Sequence, residues 1–310
     1  MGKLRLGVSS CLLGKAVRYD GGHKYDSWIV ETLGRYADFI DLCPEYGSGL
    51  PVPREPIRLV GNKDGYRVLR SEDGADLTLQ LEQYSIASME ELAQAKLCGY
   101  ILKSKSPTCG LEQVKIYSPH DGTTSKEGIG IFARELKRRF PYLPVEEESR
   151  LRDPAVRENF IERIFVVKRW WEMLSKEVLV KDIIQFHTIH KYLIMTHSPQ
   201  HYREMGKLVA ELTEHKIADF LPRYFELLMT ASACMATVSK HYNVLLHIFG
   251  YFKDDLNSFE KRELSNLMAQ YKDGLIPLIV PINRINYYVA KYNKAYLRDQ
   301  IYLQTHSLEL

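Results

Sequence analysis

A chain of 310 residues with 45% apolar and 26% charged residues is long enough to bury sizeable cores and has the length of about two domains. No apolar run approaches the roughly 18 residues of a membrane span and no start resembles a secretory leader, so a cytoplasmic location is expected. The net charge of +3 is too small to announce nucleic-acid binding, but the excess lies in residues 151–310, with 21 Lys+Arg against 18 Asp+Glu and eight of the ten histidines.

From the N-terminus, Leu4 to Val8 is a short apolar run that reads as a buried strand. The loop Cys11 to Tyr25 and a helix over Ser27 to Tyr36 follow it. A second strand, Asp38 to Leu42, leads into the turn-rich segment Pro44 to Pro56. Tyr66 to Leu69 is a weaker strand. Ser88 with Glu91 forms a capping-box pattern that opens a helix through Leu97, directly before a third strand, Gly99 to Leu102. Gly128 to Phe140 reads as an amphipathic helix that ends before Pro141. This alternation describes an α/β Rossmann-like domain.

Pro141 to Arg152, with Pro144 and the acidic run Glu146 to Glu148, suits a connection and divides the chain into residues 1–148 and 149–310. Beyond it, Pro154 to Lys176, Lys181 to Met195, Pro199 to Glu214, Ile217 to Ser239, Tyr242 to Tyr251 and Ser258 to Lys272 show helical periodicity. The C-terminal domain is therefore expected to be mostly α-helical. Its last segment, Leu275 to Gln304, opens apolar and continues as a Tyr- and Lys-rich helix.

Three cysteines carry the chemistry. Cys11, Cys43 and Cys109 each follow one of the three apolar strands, and parallel strands joined by helices present their C-terminal ends along one edge. Their spacings, about 30 and 65 residues, are too wide for a zinc ribbon or a CxxC pair, so the fold must assemble them. Three thiolates favour zinc, copper(I) or an iron-sulfur cluster over hard cations, and three protein ligands leave one position open. The alternative is three unrelated buried cysteines. Against it, each lies in a loop rich in Gly, Pro and polar residues. Cys98 and Cys234 read as small buried apolar residues.

The segments Cys11-Leu12-Leu13-Gly14 with Arg18-Tyr19-Asp20-Gly21, Cys43-Pro44-Glu45 with Pro53-Arg54, and Lys103-Ser104 through Ser106-Pro107-Thr108-Cys109-Gly110 resemble those of the thiouracil desulfidase (TudS) family. The second half, through His187 to His201 and Leu245 to Tyr302, resembles the helical domain of bacterial tRNA 4-thiouridine desulfidases. Val17 departs from the pattern, since many relatives carry another cysteine there. The resemblance implies a 4Fe-4S cluster on Cys11, Cys43 and Cys109, with one iron left open to the exocyclic sulfur of a thiolated pyrimidine. It implies hydrolytic, non-redox desulfidation, with thiolated tRNA as partner and neither DNA nor a membrane expected.

Glu45, two residues after a cysteine, is the candidate acid/base, and shielding beside an anionic cluster would raise its pKa. The lesser alternative is that it caps a turn or pairs with Arg54. Ser106 matches a family serine near the substrate, and is otherwise an ordinary turn residue before proline. Arg18, Lys103 and Lys105 are candidates to offset cluster charge or hold phosphate. Lys291 and Lys294 interleave with Tyr288, Tyr292 and Tyr296, a mixture that suits RNA contact, although tyrosines four apart also describe a buried helix stripe. His187, His190, His197 and His201 read as packing and surface residues before a metal site, and Trp170 and Trp171 as core anchors. Three other functions compete: desulfidation of free thiopyrimidine bases or nucleosides, a non-catalytic iron-sulfur sensor or binding protein, and hydrolysis at a three-cysteine zinc site.

Overall fold

The computed structural model describes residues 2–120, 123–214 and 216–304. The chain folds as two compact units, Met1–Trp171 and Glu172–Leu310. The first is α/β and the second is helical, as expected.

Four parallel strands form the main sheet of the first unit: β1 (Leu4–Ser9), β2 (Ala37–Leu42), β5 (Gly99–Leu102) and β8 (Val145–Glu147), in the order β2-β1-β5-β8. Register pairs Ser9 with Leu42 and Val8 with Ile101, so three strands end level with one another. Because the chain moves from β2 on one side of β1 to β5 on the other, the end of β1 is a switch point, where open α/β sheets leave a crevice. The expected helix over Ser27 to Tyr36 is two short turns, Trp28–Thr32 of π type and Leu33–Arg35 of 3-10 type.

Between β2 and β5 lie α1 (Pro44–Gly47), the antiparallel pair β3 (Ile57–Asn62) and β4 (Gly65–Arg70), and α2 (Thr78–Gln94). Strands β6 (Val114–Tyr117) and β7 (Thr124–Gly128), then α3 (Ile131–Arg139), follow β5. The second sheet has the order β4-β3-β6-β7. Helix α2 begins ten residues before the expected start at Ser88, whose hydroxyl donates to the Tyr84 carbonyl at 2.8 Å inside the helix. That bond to the preceding turn, rather than a cap, is its local role. Met89, Leu92, Tyr100, Leu102, Phe132 and Leu136 pack between the main sheet and helices α2 and α3. A smaller core of Leu59, Val68, Leu81, Ile116 and Ile131 lies under the second sheet.

The unit takes in one helix beyond the division at 148/149, α4 (Pro154–Met173). Its Trp171 indole donates to the Leu97 carbonyl at 3.0 Å. A methyl group on Gly99 would lie 2.6 Å from Ile164, so helix and strand are in close contact. The buried Trp170 thus anchors this unit.

Gly7 pairs in register with Tyr100, whose ring covers it: a Cβ there would lie 2.0 Å from a ring carbon. Gly7→Ala is expected to destabilise the protein by about 1–3 kcal/mol, as overpacking of a tight core does. Denaturant unfolding checks this, and an unchanged midpoint would mean that Tyr100 moves aside freely.

The second unit is built from α5 (Val180–His197), α6 (Pro199–Ala210), α7 (Ile217–Ala233), α8 (Val238–Phe249), α9 (Ser258–Lys272), α10 (Ile279–Lys291) and α11 (Ala295–Arg298). Its last segment is not one helix. Asn293 has a left-handed φ of 50°, which separates α10 from α11. The four histidines go to different partners: His187 to the Tyr224 hydroxyl, His190 to the Phe186 carbonyl, His197 to the Cys234 carbonyl and His201 to Ser198. Burial holds His187 neutral, with a pKa lowered to about 4. No helix among the described residues is long and apolar enough to cross a membrane.

Candidate active site

A cavity of about 310 Å³ opens at the level ends of β1, β2 and β5, and Cys11, Cys43 and Cys109 all line it. Cys11 lies in a 3-10 turn directly after β1, and Cys43 precedes α1 directly after β2. Cys109 comes from the loop after β5, and that loop is docked on the start of α3. The Phe132 N–H donates to the Thr108 carbonyl at 2.9 Å, and the Gly130 N–H to the Gly110 carbonyl at 2.7 Å. Gly130 is required there, because a Cβ would lie 2.4 Å from the Thr108 carbonyl. Arg18, Lys103, Lys105, Glu45 and Ser106 line the same cavity.

All three thiols have raised pKa values. Burial pushes Cys11 up to about 11, the Cys43 thiol adds to it, and Lys103 and Arg18 oppose it. Burial also raises Cys43, with the Glu45 charge adding to the shift and backbone N–H groups opposing it. Cys109 is raised furthest, by burial and then by the other two thiols, against hydrogen bonds from Ser9 and Thr108. Thiols that disfavour one another's ionisation are soft donors lying near one another around the cavity, and a cationic group bound among them would reverse the shift. Among the described residues, no three His, Cys, Asp or Glu side chains close on one point as they do around a single ion. The three thiols face a shared cavity, and this donor set fits a multi-iron cluster.

Glu45 is paired with Arg54, the alternative foreseen from the sequence. Arg54 Nε and Nη2 donate to Oε2 at 3.1 and 2.5 Å, and their side chains are only 5% and 13% exposed for Arg54 and Glu45. Arg54 Nη2 also donates to the Val17 carbonyl at 3.0 Å, and the Cys43 thiol reaches that carbonyl at 3.8 Å. The residue that departs from the cysteine pattern thus contributes through its backbone. The other carboxylate oxygen, Oε1, accepts the Thr108 hydroxyl at 2.8 Å, and Thr108 Oγ1 lies 2.9 Å from Ser106 Oγ. Ser106 Oγ also accepts the N–H groups of Thr108 and Cys109, at 3.2 and 3.1 Å. Ser106 is therefore both a turn residue and the outer end of a hydroxyl chain, Ser106–Thr108–Glu45.

Lys103 is tied down. Its ammonium contacts Glu148 Oε1 and donates to Ser104 Oγ at 2.9 Å, while Glu148 Oε2 accepts the Ser104 N–H at 2.7 Å. Arg18 pairs with Asp20 at 3.3 Å and stacks on Tyr19. Lys291 and Lys294, in the second unit, are not the uncommitted cations expected: Lys291 donates to Glu260 at 2.6 Å and Lys294 pairs with Asp255 at 2.7 Å. Of the tyrosine stripe, Tyr288 is buried, Tyr292 bonds Glu260, and Tyr296 stacks at 5.3 Å on Tyr251. Cys98 is buried as expected, whereas Cys234 is half-buried. The sequence reading missed Thr108, Ser9, Ser104 and Glu148. Only Thr108 carried a signal, a hydroxyl between Ser106 and Cys109.

An α/β unit with three thiols at a switch-point crevice defines the class of protein, and comparison with known sequences assigns the family. Residues 6–148 match the 2-thiouracil desulfurase family, and residues 191–307 match a family of unknown function, DUF1722. The uncharacterized protein YbgA of Escherichia coli (strain K12) is 29% identical over 143 residues, covering 46% of this chain and 85% of YbgA. The uncharacterized protein YbbK of Bacillus subtilis (strain 168) is 32% identical over 141 residues, covering 42% of this chain and 87% of YbbK. Among solved structures, the [4Fe-4S]-dependent thiouracil desulfidase TudS is 31% identical, covering 49% of this chain and 95% of TudS, with a TM-score of 0.39. The chain belongs to the 2-thiouracil desulfurase family through its first unit.

Proposed function

We propose that this protein hydrolyses the carbon-sulfur bond of thiolated pyrimidines, with 4-thiouridine in cytoplasmic tRNA as its substrate. The observation that carries the chemistry is the convergence of Cys11, Cys43 and Cys109 on one cavity that also holds Glu45 and Ser106. Those three cysteines would hold a 4Fe-4S cluster, as the 31% identical TudS is named for one. When bound, such a cluster supplies an open iron that acts as a Lewis acid toward thiocarbonyl sulfur.

The chain's own groups do the rest. Arg54 fixes the Glu45 carboxylate through Oε2, leaving Oε1 at the inner end of the hydroxyl chain. Glu45 takes a proton from water as its oxygen adds to the ring carbon, and returns one as sulfur leaves. Thr108 Oγ1 and Ser106 Oγ carry that proton between Glu45 and the cavity. The ring C=S becomes C=O, water supplies the oxygen, and hydrosulfide and a proton leave, with no net electron transfer. Lys103 and Arg18, which favour the Cys11 thiolate, offset the negative charge gathered there.

A second unit from Glu172 onward favours a macromolecular substrate over a free base, since a base needs only the first cavity. Anaerobically loaded protein incubated with 4-thiouridine-containing tRNA is expected to convert that nucleoside to uridine, with sulfide release exceeding the cluster content. Conversion of free 4-thiouracil with tRNA untouched would establish the free-base reading. Conversion of neither would favour a sensor.

A further inference from the structure

Beside the catalytic cavity lies a second one of about 700 Å³, and the two share Ser104, Lys105 and Pro107. Its wall is the outer face of the second sheet. Register sets Leu59 against Ile116 on the buried side, which turns Arg58 and Lys115 outward on adjacent strands, and Lys126 of β7 joins them. Neighbouring strands lie about 4.8 Å apart, so three like charges stand in a row that is unfavourable without a counter-charge.

The β-bulge between β6 and β7 sets Glu127 beside Lys126, but among the described residues no carboxylate forms an ion pair with this row. Of the cavity's two carboxylates, Glu112 pairs with Arg150 at 2.8 Å, and Glu147 is turned to the Leu111 N–H, which it accepts at 2.8 Å. Among the described residues, Arg58, Lys105, Lys115 and Lys126 form no ion pair. Residues 1–150 balance 21 Lys+Arg against 21 Asp+Glu, so this row is a local arrangement and not a by-product of net charge. Arg58 lies over the Tyr117 ring at 5.3 Å, which leaves an aromatic beside the cations. Lys105 lines both cavities from a left-handed φ of 61°, a conformation few non-glycine residues adopt.

We propose that this wall binds the phosphodiester backbone of the RNA strand that carries the thiolated nucleotide. Arg58, Lys115 and Lys126 meet its phosphates, and the reacting base passes over Lys105 into the catalytic cavity. Cations track a backbone without reading sequence, and a neighbouring aromatic takes a flanking base. This deepens, and rests on, the desulfidase reading. It places strand recognition in the first unit, next to the chemistry.

The test uses the full-length, cluster-loaded protein and its Lys115→Glu/Lys126→Glu variant, with Lys115→Gln/Lys126→Gln as a milder pair should charge reversal impair folding. Three substrates are compared: 4-thiouracil, 4-thiouridine 5′-monophosphate and a short single-stranded RNA with one central 4-thiouridine. Binding of the same RNA without sulfur is titrated across a salt series. The variant is expected to keep kcat/KM on the free base, to lose about tenfold on the oligonucleotide, and to flatten the salt slope of binding by about 0.7 per lost contact. An unchanged oligonucleotide rate and salt slope would overturn the subsite while leaving the desulfidase reading intact. An equal loss on the monophosphate would replace a strand with a terminal phosphate and overturn it likewise. If the wild type turns over no thiopyrimidine, the proposed activity fails and the sulfur-free titration alone decides on the wall.

Discussion

Replacing Cys11, Cys43 or Cys109 by alanine is expected to abolish both iron retention and desulfidation, while Cys98→Ala and Cys234→Ala retain both. The first three line one cavity at the level ends of three strands, whereas Cys98 is buried ahead of β5 and Cys234 lies in the helical unit. If these three thiolates hold the cluster as proposed, each substitution removes one of only three soft donors, so a partial effect is not expected. Iron and sulfide content of anaerobically loaded variants, with absorbance of the bound cluster, is the measurement. Full iron retention by any one of the three alanine variants would remove that residue from the ligand set. Loss of iron from Cys98→Ala, with an unchanged melting midpoint, would put a fourth thiol into it.

Glu45→Gln is expected to keep the cluster and lower kcat by about 10² to 10⁴, the usual cost of removing a general acid/base. The amide oxygen can still accept from Arg54, and its NH2 can donate to the Thr108 hydroxyl in place of the bond that Oε1 accepted, but the amide cannot exchange a proton. Thr108→Val, which breaks the hydroxyl chain between Glu45 and Ser106 and removes one hydrogen bond to the carboxylate while keeping the carboxylate and its Arg54 pair, should lower kcat less and leave KM close to wild type. Single-turnover rates on 4-thiouracil, with iron content as control, separate the two effects. A Glu45→Gln protein with wild-type kcat and full iron would assign proton transfer to solvent or Ser106 and reduce Glu45 to the structural partner of Arg54.

The first sheet was legible because each of its three leading strands is a short apolar run with a cysteine in the loop that follows it. Leu4–Ser9, Ala37–Leu42 and Gly99–Leu102 fall within a residue of their expected bounds. Of the second sheet only β4 was legible, as the strand expected over Tyr66 to Leu69. Val114–Tyr117 alternates buried and exposed residues but over only four positions, too few to stand out, and Thr124–Gly128 buries only its last residue. The cation row on that sheet was hidden for the same reason, since Arg58 and Lys115 become neighbours only through the pairing of Leu59 with Ile116. The start of α2 was misplaced because Ser88 carries a cap signature in a position where its hydroxyl bonds back into its own helix. Glu45 was found by its distance from Cys43, but its anchoring by Arg54 and Thr108 depends on three loops meeting, which spacing does not encode.

Helix α4 follows the matched segment, yet Trp171 is bonded to Leu97 and Ile164 lies against Gly99, at the foot of the strand whose far end leads to Cys109. A catalytic module trimmed at residue 148 would uncover that strand and bring a new chain terminus to Glu148, the partner of Lys103 and Ser104 at the cavity. Transplanting this chemistry onto another scaffold therefore calls for a graft that runs through Trp171.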